Sequence, residues 1–458
     1  MTAAAPTLLW LRQDLRLADN PALQQALQRG GAIIPVYIDT AAEEAAWAPG
    51  AASRWWLHHS LAALDAALRR LGSRLLLRRG AALPVLQQLV SDTGATAVVW
   101  NRRYEPAVIE RDRVVKAALQ AAGVLVASHN SALLVEPWEI STQSGGPFRV
   151  YTPYWRQLMA TLQPALPLPA PTSIAAPARW PRSDALVDLD LLPRIDWYRG
   201  IEAAWQPGEA GAAARLAEFC QQGLDGYRDR RERPALAATS RLSPHLHHGE
   251  LSPRQLWHAI GAAEARRSLP AAEWRHGKYL AELIWREFAH HLLYHFPQTV
   301  TEPLQSAFGA FPWREDAGLL EAWQQGRTGI PLVDAGMREL WSTGWMHNRV
   351  RMVVASFLVK NLRIAWQHGA RWFWDTLVDA DLASNTLGWQ WVAGCGADAA
   401  PYFRVFNPVT QAARFDPDGL YVRRWLDAAA LARAPVVDLA TSRADALAAW
   451  RAMRAAAS

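Results

Sequence analysis

The chain is expected to fold as an α/β domain with a doubly wound parallel sheet, followed by an all-α domain. Three observations predict this. Short apolar runs alternate with amphipathic stretches through the first third. Helical periodicity dominates from about residue 206, where strand-like runs are scarce. Eleven of the 24 tryptophans fall between Trp274 and Trp391, inside that helical part. At 458 residues the chain is too long for one core, so two domains are expected.

The apolar runs at 7–11, 32–38, 74–77, 97–100 and 124–127 read as buried parallel strands. Between them lie helix-like stretches at 21–28, 53–71, 82–91 and 107–121. No G-x-G-x-x-G follows the first strand, which runs instead into Arg12-Gln13-Asp14-Leu15-Arg16. A dinucleotide held in the Rossmann manner is therefore not expected here. Prolines then recur at 137, 147, 153, 164, 167, 169, 171, 177 and 181. That pattern predicts a connector draped over the surface. The expected division is 1–130, a connector over 131–205, and a helical domain over 206–458.

Composition excludes several classes. Apolar residues make up 51% and charged residues 20%, an ordinary globular balance. No run reaches about 18 uncharged apolar residues, so no membrane span is expected. The first residues lack a basic leader, and Leu8-Leu9-Trp10-Leu11 runs into Arg12 and Asp14, so it reads as a strand. Two cysteines, Cys220 and Cys395, offer neither a disulfide framework nor a metal spacing, which fits a reducing cytoplasm. No metal site is expected. The net charge of +6 is mild. Arg228, Arg230, Arg231 and Arg233 cluster, either as a solvated helix end or as a phosphate-binding patch.

The tryptophan-rich stretch also carries Glu282, Arg286, Asn348, Arg349, Arg351, Asp379, Asp381 and Asn385. Polar groups are costly to bury among rings unless paired or bound to something. The stretch therefore reads either as an aromatic core or as a site for a large redox ligand. After Tyr227, the run Thr239-Ser240-Arg241-Leu242-Ser243-Pro244 supplies three hydroxyls and an arginine ahead of a helix. This is an anion cradle, or an ordinary capping sequence. On a helix Glu282, Trp285 and Arg286 share a face, as an acid, a flat ring and a guanidinium would to receive a base. A surface ion pair beside a packing tryptophan is the alternative. Asn348, Arg351 and Met352 can likewise share a face, after Trp345. The last motifs are Asp379-Ala380-Asp381, then Asn385, Trp389 and Trp391, then residues 399–404 and Asn407-Pro408.

Together these motifs closely resemble DNA photolyases and cryptochromes, most of all bacterial photolyases that repair cyclobutane pyrimidine dimers. The resemblance runs from Trp10 to Asn407 and is densest from Tyr227 onward. It implies FAD folded in a U within the helical domain. Tyr227, Thr239, Ser240, Arg241, Leu242 and Ser243 would lie near its phosphates. Tyr279, Arg286, Asn348, Arg351, Asp379 and Asp381 would line it. Asn385 matches the position facing flavin N5, where plant cryptochromes carry aspartate. Trp389, Trp366 and Trp313 match an electron relay from flavin to surface, while Trp345 and Trp323 read as packing.

The same resemblance makes Glu282 the acid that hydrogen-bonds the dimer, with Trp285 and Trp391 lining its cavity. Arg231, Arg349 and Arg404 match contacts to DNA phosphates. Asn348 and Met352 suit this lesion; enzymes acting on (6-4) photoproducts carry a second histidine after the equivalent of His347. The implied reaction is light-driven electron transfer from reduced FAD to a flipped-out dimer. Residues 53–59 resemble the plant-cryptochrome-related branch, which uses methenyltetrahydrofolate as antenna. Trp56 and Glu110 match antenna contacts, but Ile109 replaces a polar neighbour, so 8-hydroxydeazaflavin is the alternative. The partner implied is UV-damaged DNA, with no membrane and no obligate protein partner, and the protein acts as a monomer. The ending is contracted over 427–435, and no signalling-type tail is expected. A photoreceptor without repair activity is the main alternative; a colourless helical nucleic-acid-binding protein is another.

Overall fold

The computed structural model describes residues 5–399 and 403–456. Its five parallel strands are β1 (Thr7–Leu11), β2 (Ile33–Asp39), β3 (Leu76–Arg79), β4 (Ala97–Asn101) and β5 (Leu125–His129). They form one sheet in the order β3-β2-β1-β4-β5. Central β1 sets Thr7 opposite Ile33 on one side and Ala97 on the other. Leu9 and Leu11 join one apolar core, Leu8 and Trp10 the other. Helices cover both faces, which is why the strand is apolar at nearly every position.

Helices Pro21–Arg29, Ala51–Arg70, Ala82–Thr93 and Pro106–Ala121 fall where the periodicity predicts. β3 begins later than expected. The backbone N–H of Leu75 is taken by Asp65 Oδ1 at 2.8 Å, and pairing with β2 starts at Leu76 opposite Val36.

Strand order reverses between β1 and β4. In open α/β sheets the crevice there is where ligands bind. Here the chain fills it. Arg12 is 5% exposed, pairs with Asp112, donates to the Asn101 carbonyl and lies 4.6 Å over the Trp10 ring. The helical domain closes over the same end, where Arg16 Nη1 donates to the Gly249 carbonyl at 2.8 Å. Gly249 has φ +69°, and a Cβ there would sit 2.0 Å from the Gln13 carbonyl, so only glycine permits this approach.

The proline-rich stretch differs from a plain connector. Tyr151–Thr161 is a helix whose Tyr154, Leu158 and Met159 are buried in a helical core. Pro153 sits in its first turn, where a missing N–H costs nothing. A further helix, Arg199–Ala204, buries Ile201. The prolines thus mark a helix start as well as coil.

Two apolar cores dominate the described residues of the helical part. One surrounds Trp323, Met337, Phe357 and Trp389; the other surrounds Leu256, Trp257, Ile284 and Phe288. Helix Lys278–His295 packs against helix Leu382–Ala393. Among the described residues no helix is long and apolar enough to cross a membrane. No group of three or more His, Cys, Asp or Glu among them is placed to hold a metal ion.

Candidate functional site

A cavity of about 280 Å³ takes its apolar walls from both helical cores, through Leu242, Leu256 and Leu283 on one side and Met346 on the other. Its polar lining is organised before any ligand arrives. Arg241 adopts φ +53°, a left-handed conformation unusual for a side-chain-bearing residue. Its guanidinium lies 4.1 Å from the Trp205 ring and 5.1 Å from the Trp345 ring. Burial lowers its pKa, and its Nε is buried without a partner. A desolvated cation with an unused donor, beside Thr239, Ser240 and Ser243, is suited to phosphate oxygens.

Two carboxylates form another part of the lining. Asp379 accepts from Arg351 Nη2 at 3.1 and 2.9 Å and from Ser243 Oγ at 2.6 Å. Asp381 caps helix Leu382–Ala393 by accepting from the Ser384 N–H at 2.8 Å. Its Oδ2 lies 3.5 Å from His290 Nε2 and 3.8 Å from His247 Nδ1. Burial works to raise the Asp381 pKa, but His290, His247 and Arg286 together hold it well below the usual carboxylate range.

The cavity brings together Tyr227, Thr239, Ser240, Arg241, Leu242, Ser243, Tyr279, Arg286, Asn348, Arg351, Asp379 and Asp381. Arg231 and Glu282 also line it. Asn385 stands apart: its Nδ2 donates to the Ala370 carbonyl at 3.0 Å, and Ser384 takes the lining position. Trp345 is not merely packing, because it walls the cavity under Arg241. It is also the one tryptophan of the dense stretch among the lining residues; the others serve cores or surfaces. Trp323 packs as expected, fully buried, with Nε1 donating to the Val354 carbonyl at 3.0 Å. Sequence reading also passed over His247, Met346 and Ser384. Only the His245-Leu246-His247-His248 run gave a visible signal there.

The expected lesion and DNA residues separate. Trp285 stacks on Tyr151, centroids 3.6 Å apart and planes 5° from parallel. Trp391 Nε1 donates to the Asp398 carbonyl at 3.1 Å. Met352 lies half-buried on helix Asn348–Ser356, outside the cavity lining. Arg349 and Arg404 line a second cavity of about 350 Å³, with Glu232, Phe406, Gln411, Arg414 and Phe415. Arg231, expected on phosphate, is instead 9% exposed and pairs with Glu282. Residues 400–402 of the expected 399–404 motif lie outside the described residues.

In the expected relay Trp389 and Trp366 are buried and Trp313 is half-buried against the same core. Gly369 makes room for Trp389, since a Cβ there would sit 2.1 Å from its ring. The antenna residues need correction. Trp56 is fully buried, and its Nε1 donates to Glu250 Oε1 at 2.9 Å with His248 stacked on its ring. That position has no face left for a ligand. Glu110 lies exposed on helix Pro106–Ala121, paired with Arg113.

A sheet domain whose own arginine fills its crevice is thus joined to a helical domain that carries a polar cavity. The family model for DNA photolyase matches residues 7–172, and that for the FAD binding domain of DNA photolyase matches residues 279–445. The chain is 50% identical over 424 residues to a deoxyribodipyrimidine photo-lyase of Agrobacterium fabrum, covering 92% of this chain and 87% of that protein. It is 40% identical over 429 residues to cryptochrome-1 of Arabidopsis thaliana, covering 92% of this chain and 62% of that one. The crystal structure of a bacterial class III photolyase from Agrobacterium tumefaciens superposes with a TM-score of 0.93 at 46% identity, covering 99% of this chain and 98% of that one. The chain belongs to the DNA photolyase family, and its cofactor is FAD.

Proposed function

We propose that the chain is a deoxyribodipyrimidine photolyase that splits cyclobutane pyrimidine dimers in UV-damaged DNA with light. The observation that carries this reading is the shared cavity of Arg241, Asp379 and Asp381 with Glu282. The 50% and 46% identical relatives are both named as photolyases, which favours repair over a photoreceptor role. The domain limits at 130 and 205 divide an antenna-binding domain and a connector from the FAD- and DNA-binding domain.

Bound and reduced, FAD supplies the electron on illumination. The chain holds and screens the reactants. Arg241, with Tyr227, Thr239, Ser240, Leu242 and Ser243, would hold the phosphates, and the Arg351–Asp379 pair, Arg286, Tyr279 and Asp381 would fix the rest of the cofactor. Asn385 would serve the flavin N5 edge once its Nδ2 leaves the Ala370 carbonyl. Glu282 would hydrogen-bond the dimer, accepting from the N–H on its edge. Trp285, Trp391, Asn348 and Met352 shape the lesion pocket. Arg349 and Arg404 take DNA phosphates. Trp389, Trp366 and Trp313 would supply a relay of easily oxidised rings between the cofactor and the surface, where an external reductant could donate. A methenyltetrahydrofolate antenna belongs to the α/β domain, at contacts other than Trp56. The protein works in the cytoplasm as a monomer.

The test is blue-light repair of a thymine-dimer oligonucleotide by purified, reduced protein whose absorption spectrum is recorded first. Restoration of intact thymines with a flavin spectrum is expected, and a further near-UV band reports the antenna. Glu282→Ala should slow repair about hundredfold with flavin content unchanged, the usual size for one lost transition-state hydrogen bond. A wild-type rate in that variant would remove Glu282 from the chemistry. Trp389→Phe should block photoreduction of oxidised flavin and spare repair by pre-reduced protein; unimpaired photoreduction excludes it from the relay.

A further inference from the structure

The phosphate groove contains an acid. Among its lining residues Arg349, Arg404 and Arg414 would attract a DNA backbone, while Glu232 would repel it. Glu232 is not a stray surface charge. Its Oε2 accepts from Arg349 Nε at 2.7 Å and lies 2.5 Å from Arg349 Nη2, and its Oε1 lies 3.2 Å from Arg231 Nε. Arg231 in turn pairs through Nη1 with Glu282, whose Oε1 also lies 3.1 Å from Lys278 Nζ. The ion pairs thus run without a break from the groove to the cavity: Arg349, Glu232, Arg231, Glu282, Lys278. Helix Asn348–Ser356 contributes the first member and helix Lys278–His295 the last two; Arg231 follows the short Tyr227–Arg230 turn.

We propose that Glu232 is a specificity-determining residue that couples phosphate contact in the groove to release of Glu282 in the cavity. The inference rests on the repair reading above. Without DNA, Glu232 occupies Arg349, and Arg231 occupies Glu282. A phosphate arriving in the groove competes for Arg349. Glu232, repelled by the phosphate and losing one partner, closes on Arg231. Arg231 then relaxes its hold on Glu282, whose oxygen becomes available to a flipped-in pyrimidine. No bond is made or broken; each step exchanges one ion-pair partner for another. The arrangement also penalises undamaged DNA, which must displace Glu232 without making the cavity interactions that offset the penalty.

Glu232→Gln separates these effects, measured as binding to undamaged and thymine-dimer duplexes over a salt series, with flavin content as the folding control. Undamaged duplex should bind about fivefold tighter at low salt, with a log–log salt slope steeper by about one, as expected when one more phosphate is neutralised. The dimer duplex should tighten less, so discrimination falls. In an Arg349→Gln background the same substitution should no longer tighten binding, because its effect acts through Arg349. Pre-reduced Glu232→Gln should also repair fewer dimers per absorbed photon at saturating DNA, since Arg231 keeps hold of Glu282. Unchanged affinity for undamaged duplex, equal tightening without Arg349, or a full repair yield would each overturn the proposal. Failure of the wild-type protein to repair dimers would instead sink the repair reading, and the undamaged-duplex series would still report on Glu232.

Discussion

The two domains differ in where their unsatisfied buried groups lie: that of Arg12 in the α/β domain is enclosed by protein, whereas those of Arg241 and His247 belong to residues that line a cavity. In the α/β domain the buried charges close on one another: Arg103 spans Glu44 and Glu105, Arg12 meets Asp112, and Asn101 bridges Asp14 and Asn20. In the helical domain Arg241 and His247 line a cavity while Arg241 Nε and His247 Nδ1 lack hydrogen-bond partners. Buried polar groups that satisfy each other fix a structure, whereas convergent groups left unsatisfied around a void are arranged for something else. The same residue types therefore mean scaffold in one half of the molecule and ligand site in the other.

Three substitutions would sharpen or break that contrast. The largest effect is expected at Arg241→Ala, which removes the cation held between Trp205 and Trp345. Flavin affinity should fall about hundredfold, the upper range for a charged hydrogen-bonding group, while the thermal unfolding of the apoprotein changes little. Flavin titration by fluorescence quenching measures it, and full retention of flavin would place Arg241 with the scaffold.

Next is Glu287→Gln. Glu287 accepts the N–H groups of Leu134 at 2.9 Å and Val135 at 3.2 Å, and its Oε1 has no hydrogen-bond partner. Burial pushes its pKa up to about 7. The folded state then holds a proton that the unfolded chain releases near pH 4.5. This contribution to stability is complete below that pH and is lost as pH rises through about 7. Between pH 4 and 8 it amounts to about 3 kcal/mol at most. Denaturant unfolding of wild type and Glu287→Gln across that range should show the difference between them changing with pH, as wild type alone loses stability on the alkaline side; a constant difference would mean that Glu287 stays ionised.

The smallest effect is expected at Trp56→Phe. Glu250 would keep the Gly208 N–H and His245 but lose the indole N–H. A cost of about 1–2 kcal/mol is expected for one buried hydrogen bond to a charged group. Any near-UV antenna band should survive unchanged. Loss of that band with stability intact would return Trp56 to an antenna role.

Much of this was legible beforehand. The sheet could be read because a strand covered on both faces is apolar at nearly every position, and the helices between strands carried their own period. Fourteen of the expected site residues share one cavity, because the segments that carry the family resemblance, such as the loop 239–243 and the Asp379-Ala380-Asp381 run, fold together around it. Other assignments failed for a common reason. Trp56, Arg231 and Trp345 each owe their role to residues distant in sequence: Glu250, Glu282 and Arg241 respectively. Periodicity and local motifs carry no information about such partners.

The sequence by itself therefore determined the layering of the molecule through local pattern, and most of the inventory of its cavity through motifs that resemble those of a known family. Only the tertiary structure decided which charges pair with one another. It drew Arg231 from phosphate to Glu282, set Glu232 among the groove's arginines, and closed Trp56 behind His248 and Glu250. The physical reason is that a charge or a ring takes its function from its nearest partner and its exposure, and both are fixed only when distant segments pack.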